Sequence, residues 1–384
     1  MKFIYSLLAA ALFAAPFTLS AQINGSFTFE GQNRTYIAYV PANYTPGQPT
    51  PLVFVLHGFT QSAQAIMGYS GFNALADTAG FIAVYANGIG NAWNISTSFP
   101  GGSTANDVGF ISALIDTMAA NYTIDPLRIY TCGFSAGGFM SHRLACELNN
   151  RIAAAGSVAG TMTTGAFGQC APARPVPFMQ IHGTADAIVS YNGGLGNQSA
   201  EQVLSLWTAR DSCAQPAVAT PLPDLFSEGS TVERLVWAPC AAGVRVEHLK
   251  ILNGGHTWPG ASGSSGLGNT NRDISATAEL WRFFSDFVLP TVSDLSVIEA
   301  DPIVLSVYPN PATEILRLQS LDSALPIQSV RLFDAGGKPI QQNILAQPQL
   351  SLDWPIAPDI RPGLYLLEAR LTNGRVLRKK VAIL

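Results

Sequence analysis

The sequence predicts an α/β protein with a doubly wound, mostly parallel sheet, followed by a small all-β sandwich. Three observations carry that expectation. Continuous apolar runs such as Pro51-Leu52-Val53-Phe54-Val55-Leu56 read as strands buried on both faces. These runs alternate with stretches at helical spacing until about Val288. Past Leu289-Pro290 the helical pattern stops, and short β-like runs between turn signals take over.

Element by element, Ser26 to Phe29 and Thr35 to Val40 alternate apolar and polar positions, as a β-hairpin does. After the Pro51–Leu56 strand comes helical patterning from Ser62 to Ala79, then a buried strand at Phe81 to Tyr85. Val108, Ile111, Leu114, Ile115 and Met118 recur at helical spacing behind a cap at Asn106 or Asp107. Ile129 to Phe134 is β-rich and runs straight into Ser135 and a helix through Ser141, Leu144 and Leu148. Ala153 to Val158 and Pro177 to Ile181 are further strands, Glu201 to Asp211 a helix, Val232 to Trp237 and Val244 to Leu252 strands, and Ser275 to Val288 a closing helix. Residues 22–290 thus form one domain, 291–303 an acidic linker, and 304–384 a sandwich. The sandwich strands include Leu316 to Leu318, Val330 to Phe333, Leu364 to Leu371 and Val376 to Ile383, with turns at Ala335-Gly336-Gly337 and Asn373-Gly374.

Composition narrows the function. The 384 residues are 48% hydrophobic and only 12% charged, with net charge −4, which reads as a well-packed chain and not a disordered one, and no long basic run in the first 360 residues points to nucleic acid. Met1-Lys2, the apolar stretch from Ile4 to Phe17 and Leu19-Ser20-Ala21 read as a secretory signal over residues 1–21. Five cysteines fit export. Cys213 and Cys240 bracket a proline-rich excursion, Cys146 and Cys170 are a second candidate pair, and Cys132 is the odd one; spacing leaves the pairing open. No C-x-x-C or H-x-x-x-H spacing occurs, so neither a metal nor a cofactor is expected.

The chemistry centres on Gly133-Phe134-Ser135-Ala136-Gly137. With a strand before it and a helix after it, G-x-S-x-G is a nucleophile elbow, which stands the serine hydroxyl above the sheet at a helix N-terminus. A serine nucleophile needs a base, and a group that orients the base. His57, His142 and His248 sit beside or inside regular elements and His182 ends a strand, whereas His256 lies in a late loop, Asn253-Gly254-Gly255-His256-Thr257-Trp258-Pro259-Gly260. The order serine, acid, histidine then selects His256. Asp186 follows a strand end and is favoured as the acid over Asp211 and Asp224, which sit in or after a helix. The N–H groups of Ala136 and Phe59 are the expected oxyanion donors. Trp93, Asn94 and Trp258 fall in loops near strand ends, where ligands of open α/β sheets bind, and are candidates for substrate contact.

Leu56-His57-Gly58, Gly133 to Gly138, Ile181-His182-Gly183-Thr184-Ala185-Asp186 and Gly254 to Gly260 resemble the secreted polyhydroxybutyrate depolymerase and feruloyl esterase group of α/β-hydrolases, with Asp107-Val108-Gly109-Phe110 and Arg143 to Glu147 adding to the likeness. The resemblance covers about Gly25 to Val288 and implies Ser135, Asp186 and His256 as a triad. It also implies a carboxylic-ester substrate: feruloyl or acetyl groups on plant xylan, or a short polyester. Phe59 departs from the smaller residue or cysteine that follows His-Gly in many relatives. Val307-Tyr308-Pro309-Asn310-Pro311-Ala312, Val330 to Asp334, Pro362-Gly363-Leu364-Tyr365 and Arg378-Lys379-Lys380-Val381 resemble the C-terminal sorting domain of type IX secretion. That likeness implies passage through the periplasm to the outside or the outer-membrane surface, with the secretion machinery as partner. The expectation is a secreted serine esterase; its rivals are a peptidase of the same fold and a non-catalytic surface binding protein.

Overall fold

Thr50–Leu56 becomes a strand at the heart of a ten-stranded sheet in the computed structural model, which describes residues 21–95, 102–194, 196–262, 267–290, 305–334, 338–373 and 376–384. Apart from Ala21, the expected leader lies outside the described residues, as do the expected linker and the turns at residues 335–337 and 374. The chain divides into two compact units at Leu289–Pro290.

The first unit runs β1 (Ala21–Phe29), β2 (Gln32–Val40), β3 (Thr50–Leu56), α1 (Ala63–Ser70), α2 (Phe72–Ala79), β4 (Ile82–Ala86), α3 (Asp107–Asn121), β5 (Ile124–Phe134), α4 (Ala136–Glu147), β6 (Ala154–Val158), α5 (Thr164–Gln169), β7 (Phe178–Gly183), α6 (Ala200–Arg210), β8 (Val218–Pro221), β9 (Thr231–Trp237), β10 (Val246–Leu252) and α7 (Ala276–Phe284). Its sheet has the order β1-β2-β4-β3-β5-β6-β7-β10-β9-β8. The strands from β4 to β10 pair in parallel, while β1–β2 and β8–β9 add antiparallel edges.

A strand buried on both faces must feed two cores, and β3 does so. Val53 and Val55 point to the layer of α1, α2 and α7, where they meet Ile66, Phe72, Leu280 and Phe284. Leu52, Phe54 and Leu56 point to the layer of α3, α4 and α6, with Phe110, Leu114, Met140, Leu144 and Trp207. Each such side chain contributes about 1.5–3 kcal/mol on full burial, which is why these runs carry no polar residue.

The departures from sequence expectation are local. The helical stretch from Ser62 to Ala79 is two helices, because Gly71 at φ 70° leaves the helical region and turns the chain between them. The closing helix stops at Phe284 rather than Val288. α5 and β8 were not anticipated, since neither buries a residue and so neither shows an apolar stripe.

The second unit runs β11 (Leu305–Tyr308), β12 (Ile315–Ser320), β13 (Ile327–Phe333), β14 (Pro339–Gln349), β15 (Ser351–Pro355), β16 (Gly363–Leu371) and β17 (Val376–Ile383). They form two antiparallel sheets, β11-β12-β15 and β14-β13-β16-β17, over a core that includes Leu316, Leu318, Val330, Leu332, Trp354, Leu367 and Val381. β14 escaped the sequence reading because glutamines and an asparagine leave it little apolar alternation. Glu368 is buried in this unit and is held by Arg331 and Arg378 from the two neighbouring strands.

Candidate active site

β5 ends at Phe134 and α4 begins at Ala136, so Ser135 alone makes the turn. It sits at φ 54° and ψ −120°, a region that a residue with a Cβ adopts only when the surroundings enforce it. The surroundings are visible. A Cβ on Gly133 would come within 2.4 Å of the Gly137 backbone, and one on Gly137 within 2.1 Å of the Leu56 carbonyl oxygen. Glycine at both places lets α4 press against the ends of β5 and β3. The Ser135 N–H donates to the Val158 carbonyl at 2.9 Å, and its own carbonyl accepts from Phe139 at 3.1 Å. Ser135 is left half-buried at the N-terminus of α4.

The same close approach sets the end of β3, at Leu56 and His57, against the first turn of α4; the expected oxyanion donors Phe59 and Ala136 belong to the loop after β3 and to that turn. That loop is stiff. His57 is fully buried; its Nδ1–H donates to the Gly58 carbonyl at 2.7 Å and its Nε2 accepts from the Gly88 N–H at 3.0 Å. Burial pulls its pKa down to about 4, against a smaller opposing effect of the Gly58 bond, so the ring is a neutral anchor. The Phe59 side chain is 42% exposed.

Asp186 and His256 are 70 positions apart in sequence and meet because β7 and β10 are adjacent parallel strands. The loops beyond those strands are tied together, the Thr184 N–H donating to the Ile251 carbonyl at 2.8 Å and the Ala185 N–H to the Gly254 carbonyl at 2.9 Å. His256 Nδ1–H then donates to Asp186 Oδ2 at 2.7 Å, while Asp186 Oδ1 accepts the N–H groups of Ile188 at 2.9 Å and Val189 at 2.8 Å. Burial alone would raise the Asp186 carboxyl. The hydrogen bonds it accepts from the His182 and His256 N–H groups outweigh that effect and hold it well below the usual carboxylate range. The ring of Phe134, next to the serine, lies 4.9 Å from the His256 ring, so the elbow and the imidazole are in contact. The His256 loop is braced from behind by Tyr69, whose hydroxyl accepts the Trp258 N–H at 2.9 Å.

The substrate-contact expectation fails for the tryptophans. Trp93 is 1% exposed and packs at a tilt against the His57 ring, with its indole N–H on the His57 carbonyl at 2.9 Å. Trp258 is also 1% exposed and donates to Thr277 Oγ1 at 3.0 Å. Both rings complete the core beneath the loops, because an indole buries more apolar area than a loop surface offers. Asn94 has its amide on the Ala105 carbonyl and its N–H on Asp107 Oδ2, and it lines a polar groove of about 730 Å³ with Glu30, Gln32, Ser103, Asn106 and Arg143. Asp107 is itself buried and paired with buried Arg34 at 2.6 Å. Of the other acid candidates, Asp224 is exposed, and Asp211 is buried beside β7 with Oδ1 on the Val176 N–H at 3.0 Å. Cys146 bonds Cys170 and Cys213 bonds Cys240, with Cys132 free and buried; burial pushes its thiol well above the ordinary range.

Sequence reasoning passed over Gln180, His182 and Tyr69 as contributors to the site. His182 stands inside Ile181-His182-Gly183-Thr184-Ala185-Asp186, four residues before the acid, which was the available signal.

This arrangement can carry out acyl transfer: a serine on a strained elbow, a histidine with a buried carboxylate behind it, and backbone donors at a helix N-terminus. Residues 34–206 match the family described as Esterase PHB depolymerase, and residues 306–383 match the secretion system C-terminal sorting domain. The chain is 31% identical over 231 residues to a bifunctional acetylxylan esterase/xylanase of Neocallimastix patriciarum, covering 59% of this chain and 31% of that protein. It is 30% identical over 266 residues to feruloyl esterase B of Piromyces equi, covering 67% of this chain and 46% of that protein. This chain therefore spans less than half the length of either enzyme. It is also 30% identical over 271 residues to the protein named "Putative esterase NocK" of Nocardia uniformis subsp. tsuyamanensis, covering 64% of this chain and 77% of that one. The first unit is an α/β-hydrolase, and the chain belongs to the Esterase PHB depolymerase family of carboxylic ester hydrolases.

Proposed function

We propose that this protein is an exported serine esterase and that Ser135, His256 and Asp186 are its triad. The observation that carries the reading is the pairing of two independent features on one sheet edge: the strained Ser135 elbow and the 2.7 Å Asp186–His256 bond, joined by the Phe134–His256 ring contact. In the acylation step Ser135 Oγ attacks the ester carbonyl while His256 Nε2 takes its proton. The negative oxygen of the tetrahedral intermediate is held by the N–H groups of Phe59 and Ala136, aided by the positive end of α4. The intermediate collapses, the C–O bond to the alcohol breaks, and His256 returns the proton to that leaving oxygen. Water repeats the cycle on the acyl-serine and releases the acid. Asp186 holds His256 with Nδ1 protonated, so that Nε2 is the base, and it stabilises the imidazolium.

The substrate class follows from the relatives named acetylxylan esterase and feruloyl esterase and from the family's name: acetyl or feruloyl esters on a plant cell-wall polysaccharide, or a hydroxybutyrate oligomer. The sorting domain supports delivery by the type IX machinery to the outside or to the outer-membrane surface. The test is hydrolysis of methyl ferulate, acetylated xylan and a hydroxybutyrate oligomer, side by side, by the full chain and by Ser135→Ala. One substrate class should dominate, and the variant should lose about 10³-fold or more of kcat. Equal activity in the variant removes Ser135 from the mechanism. Absence of cleavage by both proteins, with no labelling by a covalent serine probe, overturns the esterase reading.

A further inference from the structure

All five histidines are at most 2% exposed, yet the mechanism uses only His256. Two of the others, His142 and His182, line up behind the acid, and their protons have only one consistent arrangement. Trp207 Nε1 is donor-only and lies 3.1 Å from His142 Nδ1, so Nδ1 accepts and the His142 proton is on Nε2. That N–H faces Gln180 Oε1 at 3.2 Å. The Gln180 amide nitrogen lies 2.7 Å from the Gly160 carbonyl, an acceptor-only group, which fixes the amide's orientation independently. The same nitrogen is 3.1 Å from His182 Nδ1, so Nδ1 accepts and the His182 proton is on Nε2. The Val189 carbonyl, 2.8 Å from His182 Nε2, demands the same proton. His182 Nε2 is also 3.4 Å from Asp186 Oδ2, the oxygen that takes the His256 N–H. Three acceptor-only or donor-only groups thus agree on one direction of donation.

We infer that Trp207, His142, Gln180 and His182 form a one-way hydrogen-bond chain ending at Asp186, which makes His182 a positioning residue for the acid. Its N–H, shared between Val189 and Asp186, closes a ring with the Val189 N–H on Asp186 Oδ1 and so locks residues 186–189 with the carboxylate aimed at His256. The chain matters because a carboxylate flanked by two N–H donors stays ionised and cannot rotate away from the base. The titratable groups round His182 are His142, Asp186, Tyr191 and His248, with Lys250 opposite it in the β7–β10 register and its ammonium over the Tyr191 ring. Burial holds His142 and His248 each at about 3, so both stay neutral through the working range and preserve the direction of the chain.

This inference rests on the triad reading, and its test separates the two. In the full chain with 15N-labelled histidine, His142 and His182 should both carry their proton on Nε2. Gln180→Leu takes away the N–H that His182 Nδ1 accepts, so the His182 ring should no longer be held in place with its Nε2–H toward Asp186. The same variant should lower kcat about 10- to 100-fold, the loss expected of one hydrogen bond to a charged group, with KM little changed. The acid limb of its pH–rate profile should steepen from slope one toward slope two, as Asp186 begins to protonate within the assayed range. His182→Leu should do the same, and His182→Gln, which keeps an N–H near Nε2, should recover most of the rate. An Nδ1–H His182 in the unaltered protein overturns the chain whether or not the protein is active. Correct tautomers in a protein that cleaves no ester leave the chain standing and overturn the triad. A folded His182→Leu variant with unchanged kcat and slope removes His182 from its positioning role.

Discussion

Replacing Asp186 by asparagine removes one charge and almost no volume, so its effect is set by hydrogen-bond direction. The carboxylate receives four N–H groups: Ile188 and Val189 at 2.9 and 2.8 Å on Oδ1, and His256 at 2.7 Å and His182 at 3.4 Å on Oδ2. In Asp186→Asn the carbonyl oxygen satisfies the two backbone donors and the amide takes the Oδ2 position. An amide is a donor there, facing an imidazole N–H. His256 relieves the clash by moving its proton to Nε2, which leaves Nδ1 to accept from the amide. It can then no longer accept the Ser135 proton. The cost to kcat is that of a base in the wrong tautomer, about 10⁴-fold, or roughly 5.5 kcal/mol. The inverse substitution at Oδ1 is blocked because two backbone N–H groups already point at it. The assay is kcat for an activated acetyl ester at pH 7, with thermal unfolding as the control for fold. A folded Asp186→Asn enzyme within tenfold of the unaltered protein refutes the assignment of the proton to His256 Nδ1 and of the acid to Asp186.

Other expectations follow from the same geometry. Cys146–Cys170 closes a loop of 24 positions, so the Cys146→Ser, Cys170→Ser double variant should lose about 3 kcal/mol by chain-entropy reckoning, read as a lower midpoint in urea. Trp93→Phe deletes a buried N–H and leaves the His57 carbonyl unpaired, so it should cost about 1–3 kcal/mol of stability and leave KM for aryl esters unchanged. A large rise in KM would return Trp93 to the substrate site. Asp211 is pushed up to about 7, burial outweighing the Val176 N–H and the Arg174 charge. A raised carboxyl binds its proton in the folded state first, so stability present near pH 4 is lost as pH rises through 7. Asp211→Asn should flatten that slope in unfolding measurements from pH 5 to 8; an unchanged slope rules Asp211 out as its source.

The parts of the site legible in the sequence are those whose cause is local. A strand, two glycines and a helix around Ser135 are consecutive residues, and the backbone collision between Gly133 and Gly137 demands that pattern wherever such an elbow forms. The presence of β3, β5 and β7 as strands was readable for the same reason: a run buried on both faces shows no alternation. His256 and Asp186 could be nominated by elimination, but their meeting depends on β10 entering the sheet beside β7, a pairing across 68 positions that no local pattern encodes. Tryptophans in glycine-rich loops gave no sign that those loops fold back over Trp93 and Trp258 to bury them, because burial depends on what covers a side chain and not on its own chain neighbours. Proton direction is the most tertiary property of all. The sequence supplied His142, Gln180, His182 and Trp207 as separate residues on α4, β7 and α6; only the stacking of those elements sets a donor-only indole and two acceptor-only carbonyls around them and leaves one tautomer for each ring.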